Sequence, residues 1–536
     1  MDRSLVDAPV DVLVIGGGIT GAGIARDAAM RGFRTALIDK GDFGSGTSSH
    51  SSRLVHGGVR YLEQYAFRLV FESSRERRVL LKIAPHLVRP LAFLFPLYRG
   101  GRVPAWKLRA GMWLYDLLSA FRNVRRHRWL SAKKVRKVEP GVRDKGLVGA
   151  SLYYDAQVDD ARLVLATIRA AARAGALVAN YVEATALLKP DGRIRGAAVH
   201  DVLTGETGSI RASVVVNATG PWSDALRQLD DPAAKPLLRP TKGAHVFVPR
   251  RRMSNEHAVT LFSPIDGRVM FVLPWGELSY IGTTDTDADA SPDELRVTSA
   301  DVTYLLRSAN AAFPDAHLTT NDVISGWAGL RPLLHQDNAS PSQVSREHAI
   351  EESAHGLVSI VGGKLTTYRV MAQDVVDRVA KRLHQLDGRR VAPHPPTDRE
   401  ALPGGESADL EVLVEAARSR GAFEPTARHL VASYGSEAAA VLNLVDRERP
   451  LGEPIVPGRP EIWAEVSYAV ERELAVRLQD VLIRRLHLYH EMRDQGQSVA
   501  GVVASRMQKL LGWDETREAE ELRDYGRIVE RGRIKV

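Results

Sequence analysis

Residues 11–23 read DVLVIGGGITGAG, a short apolar run that breaks into glycines at positions 16, 18 and 21. The pattern predicts a bound dinucleotide. Val12 to Ile15 suit a buried parallel strand, and Gly16 suits a tight turn. Gly18 lets backbone approach a pyrophosphate, and Gly21 lets the following helix pack closely. The N-terminus of that helix then faces the phosphates. A second apolar run, Thr35 to Ile38, ends in Asp39 about 20 residues further on, where an acidic side chain accepts from ribose hydroxyls.

At 536 residues the chain exceeds one ordinary core and is expected to divide into two or three domains. Apolar content of 44% and charged content of 26% are those of a soluble globular protein. The absence of cysteine excludes disulfides, cysteine-ligated clusters, zinc thiolates and thiol catalysis. No run reaches the roughly 18 apolar residues of a membrane span, and the start carries no basic region followed by an apolar one. The expectation is a cytoplasmic chain that is neither transmembrane nor exported by that route. A net charge of +8 leaves nucleic acid, an anionic membrane surface or an anionic substrate as partners. The charge is concentrated: Arg99 to Lys137 holds twelve Lys or Arg, Arg122, Arg125, Arg126 and Arg128 among them, against the single acid Asp116. Within a predicted helix from Ala105 to Phe121, residues Trp106, Ala110, Trp113, Leu114, Leu117, Leu118 and Phe121 recur at spacings of three and four, giving one apolar face. Basic flanks on such a helix suit an interfacial anchor, and a core-facing helix followed by a solvated basic loop fits the pattern equally.

The polar, glycine-bearing stretch from Thr47 to Tyr61 stands where a second strand–helix unit would be expected. Strand–helix texture resumes with a strand at Leu152 to Tyr154, a helix at Asp160 to Ala174, and strands at Leu177 to Glu183 and Ser213 to Asn217. His245 to Pro249, Val269 to Pro274 and Ser279 to Thr284 read as strands at hairpin spacing, the mark of an inserted antiparallel sheet. Gly362 and Gly363 then open another helix. Pro393, Pro395, Pro396, Pro403, Gly404 and Gly405 mark a linker, beyond which Asp409 to Arg418 and a long stretch from Glu461 to His487 read as helical. The fold class is therefore α/β plus α. A Rossmann-type dinucleotide domain is expected over 1–90, 150–240 and 345–386, with a basic amphipathic insertion at 91–149. An antiparallel-sheet substrate domain follows at 241–344, then a linker at 387–405 and a helical domain at 406–536. Asp285, Asp287 and Asp289 imitate a calcium loop, but Ala290 and Arg296 stand where Gly and Glu are needed, so no metal site is expected.

GGGITGAG, TSSHSSRLVHGGVRYLE, VDDARLVLA, NATGPW, GLRPL and VGGKLTTYR occur in an order that resembles the FAD-dependent glycerol-3-phosphate dehydrogenases, the respiratory, quinone-linked enzymes. The resemblance covers nearly the whole chain and implies FAD as cofactor. By position it assigns Gly16, Gly18, Gly21 and Asp39 to the adenosine diphosphate half, with Val182 and Gly220 beside the adenine. It puts Thr47, Ser48, Ser49, Gly57 and Gly58 along the pyrophosphate and flavin, and Gly363, Leu365 and Thr366 at the pyrimidine edge of the isoalloxazine. His50 and His56 fall to the flavin environment.

The implied substrate is glycerol 3-phosphate, for whose dianion Arg60, Arg331, Arg346 and Lys364 match binding positions. Arginine suits phosphate because its planar fork binds two oxygens. Oxidation at C2 needs a base for the hydroxyl proton. His245 matches one, lies on the same strand face as Phe247, and has an ordinary pKa suited to neutral pH. Arg331 is its rival in assisting alkoxide formation. The implied acceptor is a membrane quinone and the implied place the inner face of the cell membrane, held peripherally on anionic lipid. No nucleic-acid role is expected, and a homodimer is left open. An oxidase of the same fold giving hydrogen peroxide and a flavin-binding scaffold without activity are the alternatives.

Overall fold

The computed structural model describes residues 9–58, 65–119, 124–288, 291–335, 347–390 and 393–534. Strand β1 (Val10–Ile15) leads through the glycine turn into helix α1 (Ile19–Met30), and β2 (Thr35–Ile38) returns beside β1. Every residue of β1 is buried, as a parallel strand covered on both faces requires. Val12 and Val14 pack among the residues of α1, whereas Leu13 and Ile15 face a separate cluster with Val182, Val199 and Ile210.

Between β2 and the next parallel strands come helix α2 (Phe67–Ile83), strand β3 (Val88–Tyr98), helix α3 (Ala105–Leu118), strand β4 (Leu147–Val158) and helix α4 (Asp160–Arg173). The first sheet also takes in β5 (Leu177–Ala179), β6 (Thr207–Asn217) and the strands Val182–Leu187 and Gly196–Asp201. Strands β7 (Leu238–Pro249), β8 (Ala258–Phe262), β9 (Val269–Trp275), β10 (Leu278–Gly282) and β11 (Ser325–Leu334) follow. After β12 (His348–Glu352) and β13 (Val358–Gly362), helix α5 (Tyr368–Asp387) closes the first layer by packing on α1.

In the first sheet the order is β12, β13, β6, β1, β2, β5, with β13, β6, β1, β2 and β5 mutually parallel. Their carboxyl ends carry Gly362, Ala218, Gly16 and Asp39, so the sequence motifs meet along one rim, where open α/β sheets bind ligands. The second sheet is built from β3, β4 and β7 to β11, antiparallel except for the β3–β8 pair. Residues 91–149 thus do more than form an amphipathic insertion: β3, β4 and a short strand at Arg128–Ser131 pair within this sheet. Long-range pairing is not visible in local spacing, which is why the segment reads as separate.

Beyond residue 393 the chain is helical. The expected continuous helix from Glu461 to His487 is instead Trp463–Arg472, a left-handed turn at Leu474 and a π-turn at Asp480–Arg485. The break brings Glu473, Asp480, Arg484 and Arg485, all buried, against the first domain.

Candidate active site

The pairing of β7 with β11 sets the register Thr241–Arg331, Gly243–Gly329, His245–Trp327 and Phe247–Ser325. Directly opposed residues and their i±2 neighbours share a face, so Arg331, His245 and Trp327 project together. The two glycines between them leave a saddle. A Cβ on Gly243 would collide with the Arg331 guanidinium, and one on Gly329 would stand 2.5 Å from the His50 carbonyl oxygen. Glycine is thus required here for close approach, and the loop from Gly46 to Ser52 settles into the space.

That loop is pinned from the sheet. Thr47 Oγ1 donates to the Leu330 carbonyl at 2.6 Å, Trp327 Nε1 to Ser51 O at 3.0 Å and Tyr280 Oη to Ser52 O at 3.0 Å. Ser52 Oγ then meets His245 Nε2 at 2.9 Å, while the imidazole stacks on Trp327 with ring centres 4.9 Å apart. Only 2% of His245 is exposed, and its Nδ1 has no hydrogen-bond partner. Burial first, then the positive charges of Arg331 and Arg53, holds the imidazole well below its ordinary pKa. The expected unperturbed histidine is therefore corrected: this one is firmly neutral at pH 7. Arg331 is held by Asp285 Oδ1 and Thr283 Oγ1, both at 3.0 Å.

These side chains border a cavity of about 1060 Å³ that also takes in the rim of the first sheet. His245, Arg331 and Lys364 line it together with Gly16, Gly18, Asp39, Thr47, Ser48, Val182, Gly220, Gly363, Leu365 and Thr366. Gly21, Ser49 and Gly57 stand behind the wall. A Cβ on Gly21 would run into the Gly16 carbonyl, and one on Gly57 into Tyr115 Oη, so both serve close packing. Gly58 borders a second cavity instead. Arg60 and Arg346 lie outside the described residues. Lys364 Nζ donates to Ser73 Oγ.

The large cavity suits a dinucleotide. Gly16 has φ +110°, and a Cβ there would press on Ala218 O. The N-terminus of α1 has no cap from its own side chains, and its Ile19 N–H donates to Ser48 Oγ at 3.0 Å. Asp39 accepts from the Gly17 and Gly41 N–H groups at 2.6 and 2.8 Å, and burial pushes its carboxyl up to about 6. Sequence reasoning gave no role to Lys40, Trp222 and Asp293, which meet at this cavity: Lys40 Nζ lies 4.7 Å from the Trp222 ring centre, and both Lys40 and Trp222 donate to Asp293. Nor did it single out Trp327, since a tryptophan opposite a histidine is apparent only once the strands are paired.

A second cavity, of about 390 Å³, shares Ser52, Leu54, His56 and Arg331 with the first. Phe93, Phe95, Phe262 and Phe271 from the second sheet and Leu108 and Leu114 from α3 give it apolar walls.

Residues 11–369 match the profile of FAD dependent oxidoreductases, and residues 395–518 match that of the C-terminal domain of alpha-glycerophosphate oxidase. The glycerol-3-phosphate dehydrogenase of Synechocystis sp. is 37% identical over 98% of this chain and 97% of its own length. Glycerol-3-phosphate dehydrogenase 2 of Mycobacterium tuberculosis is 40% identical over 97% of this chain and 88% of its own. Among solved structures, glycerol-3-phosphate dehydrogenase from Bacillus halodurans complexed with FAD superposes with a TM-score of 0.82 at 32% identity, covering 99% of this chain and 96% of that one. With the glycine turn, the rim and the saddle in their places, the chain belongs to the FAD-dependent glycerol-3-phosphate dehydrogenase family.

Proposed function

We propose that the protein oxidises sn-glycerol 3-phosphate at C2 to dihydroxyacetone phosphate and passes the electrons to a membrane quinone. The observation that carries this reading is that His245, Arg331 and Lys364 border the same cavity as the dinucleotide turn. FAD, when bound there, supplies the acceptor for the hydride leaving C2.

Two fixed cations suit a phosphate dianion. Arg331 is oriented before substrate arrives by Asp285 and Thr283, which lowers the cost of ordering it on binding. Neutral His245 is the form that takes a proton, and its Ser52 contact and Trp327 stack fix the plane of the ring.

The quinone reading is supported by the aromatic wall of the second cavity and by the outer face of α3. Trp106, Trp113 and Leu117 on that helix are 72%, 58% and 58% exposed, beside a basic stretch. No helix among the described residues is long and apolar enough to cross a membrane, so an acceptor dissolved in lipid has to be met at the surface.

An anaerobic titration with glycerol 3-phosphate tests the reaction: the flavin absorbance should bleach with one equivalent of substrate. Reoxidation should then be fast with a short-chain quinone and slow with oxygen. Fast reoxidation by oxygen alone would make the protein an oxidase.

A further inference from the structure

Among the described residues none beyond Thr366 lines the large cavity, yet the C-terminal domain grips two segments that do. The first is the loop after Asp39. Asp42, 1% exposed, accepts from both Nη atoms of Arg485, from Arg484 Nε and from Asn180 Nδ2. Gly44 to Ser48, immediately beyond it, border the cavity. The second segment is Val182 to Thr185. Tyr181, just before it, donates its hydroxyl to Asp480 Oδ1 at 2.5 Å, and the same carboxylate oxygen accepts from Arg484 Nη2 at 2.8 Å. The two segments are themselves joined, Tyr181 N–H to Gly41 O at 3.1 Å and Val182 N–H to Asp39 O at 2.8 Å.

Arg484, Arg485 and Asp480 lie in one buried π-turn, a rare geometry that in helical segments often accompanies function. With Asp42 they form a buried group of two acids and two bases. Such a group adds little net stability but selects one arrangement, because breaking it strands a buried charge. Simple fastening of the domains is available elsewhere: Arg169 pairs with Glu437 and touches neither segment.

We propose that the C-terminal domain is a clamp on the adenosine side of the cofactor site. Arg484 and Arg485 are positioning residues that, through Asp42 and Tyr181, hold both segments at the spacing that retains FAD. The proposal rests on the placement of the adenosine half beside Asp39 and Val182.

The test measures FAD release from diluted holoenzyme by the rise of flavin fluorescence, with thermal unfolding of each variant beside it. Arg485→Lys keeps the charge but loses the two-pronged contact, and the dissociation constant for FAD should rise about tenfold or more. Tyr181→Phe removes one hydroxyl and should raise it severalfold. Arg169→Met should lower the melting temperature and leave FAD release within about twofold of the parent. If Arg485→Lys does not fold, Tyr181→Phe and Arg484→Lys decide the matter. Unchanged FAD release in these variants, with melting temperatures lowered as in Arg169→Met, would overturn the clamp and leave a fastening. Bleaching of the parent's flavin by glycerol 3-phosphate is scored separately, so a wrong reaction and a wrong clamp give different results.

Discussion

Arg331 and His245 owe their places to neighbours with no side chain at all, Gly243 beside the guanidinium and Gly282 beside the imidazole. Gly243 and Gly329 open the face of the β7–β11 pair, and the guanidinium and the Gly46–Ser52 loop fill it. If Arg331 binds the phosphate, Arg331→Ala should raise KM for glycerol 3-phosphate far more than for unphosphorylated glycerol. The loss should be on the order of 2 to 4 kcal/mol, the scale of a desolvated charge-assisted contact. Steady-state kinetics on both substrates check it, and equal losses would move Arg331 to the chemistry. His245→Ala should slow anaerobic flavin reduction by about 100-fold with FAD still bound, as stopped-flow absorbance would show. The pH dependence has a definite sign: burial and the neighbouring cations disfavour the charged imidazole, so it remains a proton acceptor as pH falls through 6.5. The reduction rate should show no inflection there. A loss of rate centred near 6.5 would assign the proton to another group. The residue types at these positions were legible in the sequence. The depressed basicity was not, because it comes from groups far apart in the chain.

Helix α3 shows how far a periodic pattern carries. Of the predicted stripe, Trp106, Ala110, Trp113 and Leu117 face outward, Leu114 and Leu118 are half-buried toward the sheet, and Phe121 lies outside the described residues. Leu108, Met112 and Tyr115 form a second apolar side, and the sheet takes that one, with Tyr115 Oη tied to Asp155 and Arg77. An isolated helix with apolar residues on both sides gives no sign of which is core. The exposed stripe should be what meets lipid: Trp106→Ser with Trp113→Ser should weaken pelleting with anionic liposomes and lower quinone turnover, leaving activity with a soluble dye unchanged. Parallel loss of dye activity would mean that the stripe supports the fold instead. The strands of the first sheet were read more easily, since β1, β2 and β13 are short apolar runs ending in glycine or an acid.

The whole molecule is held by polar contacts between its domains as well as by its cores. Arg162 with Glu473 and His487 with Asp159 join α4 to the C-terminal domain, both pairs buried or nearly so. His86 sits in the same seam, close under the backbone of Gly404 and Gly435. Burial first, then the charges of Arg162 and Arg89, brings its pKa down to about 3. The folded protein therefore refuses a proton that the unfolded chain accepts below about 6.5, so stability falls as pH drops through that value. At pH 5.5 the cost is about 1.4 kcal/mol for this group. Denaturant unfolding at pH 7.5 and 5.5 should show a drop smaller by about that amount in His86→Asn, and an equal drop in both proteins would place the acid sensitivity elsewhere.

Read alone, the chain settled the glycine turn after the first strand, the parallel α/β domain and the helical tail. Each of these is written in local spacing, where a strand period of two, a helix period of 3.6 and glycine's tolerance of tight turns act on neighbouring residues. Folding in three dimensions settled the membership of residues 91–149 in the second sheet, the saddle under Arg331 and the outward turn of Trp106 and Trp113. It also set the break at Leu474 that brings Arg484 and Arg485 to Asp42. Those outcomes depend on pairings between residues tens to hundreds of positions apart, and on which charges lose water together, and neither is carried by any short stretch of sequence.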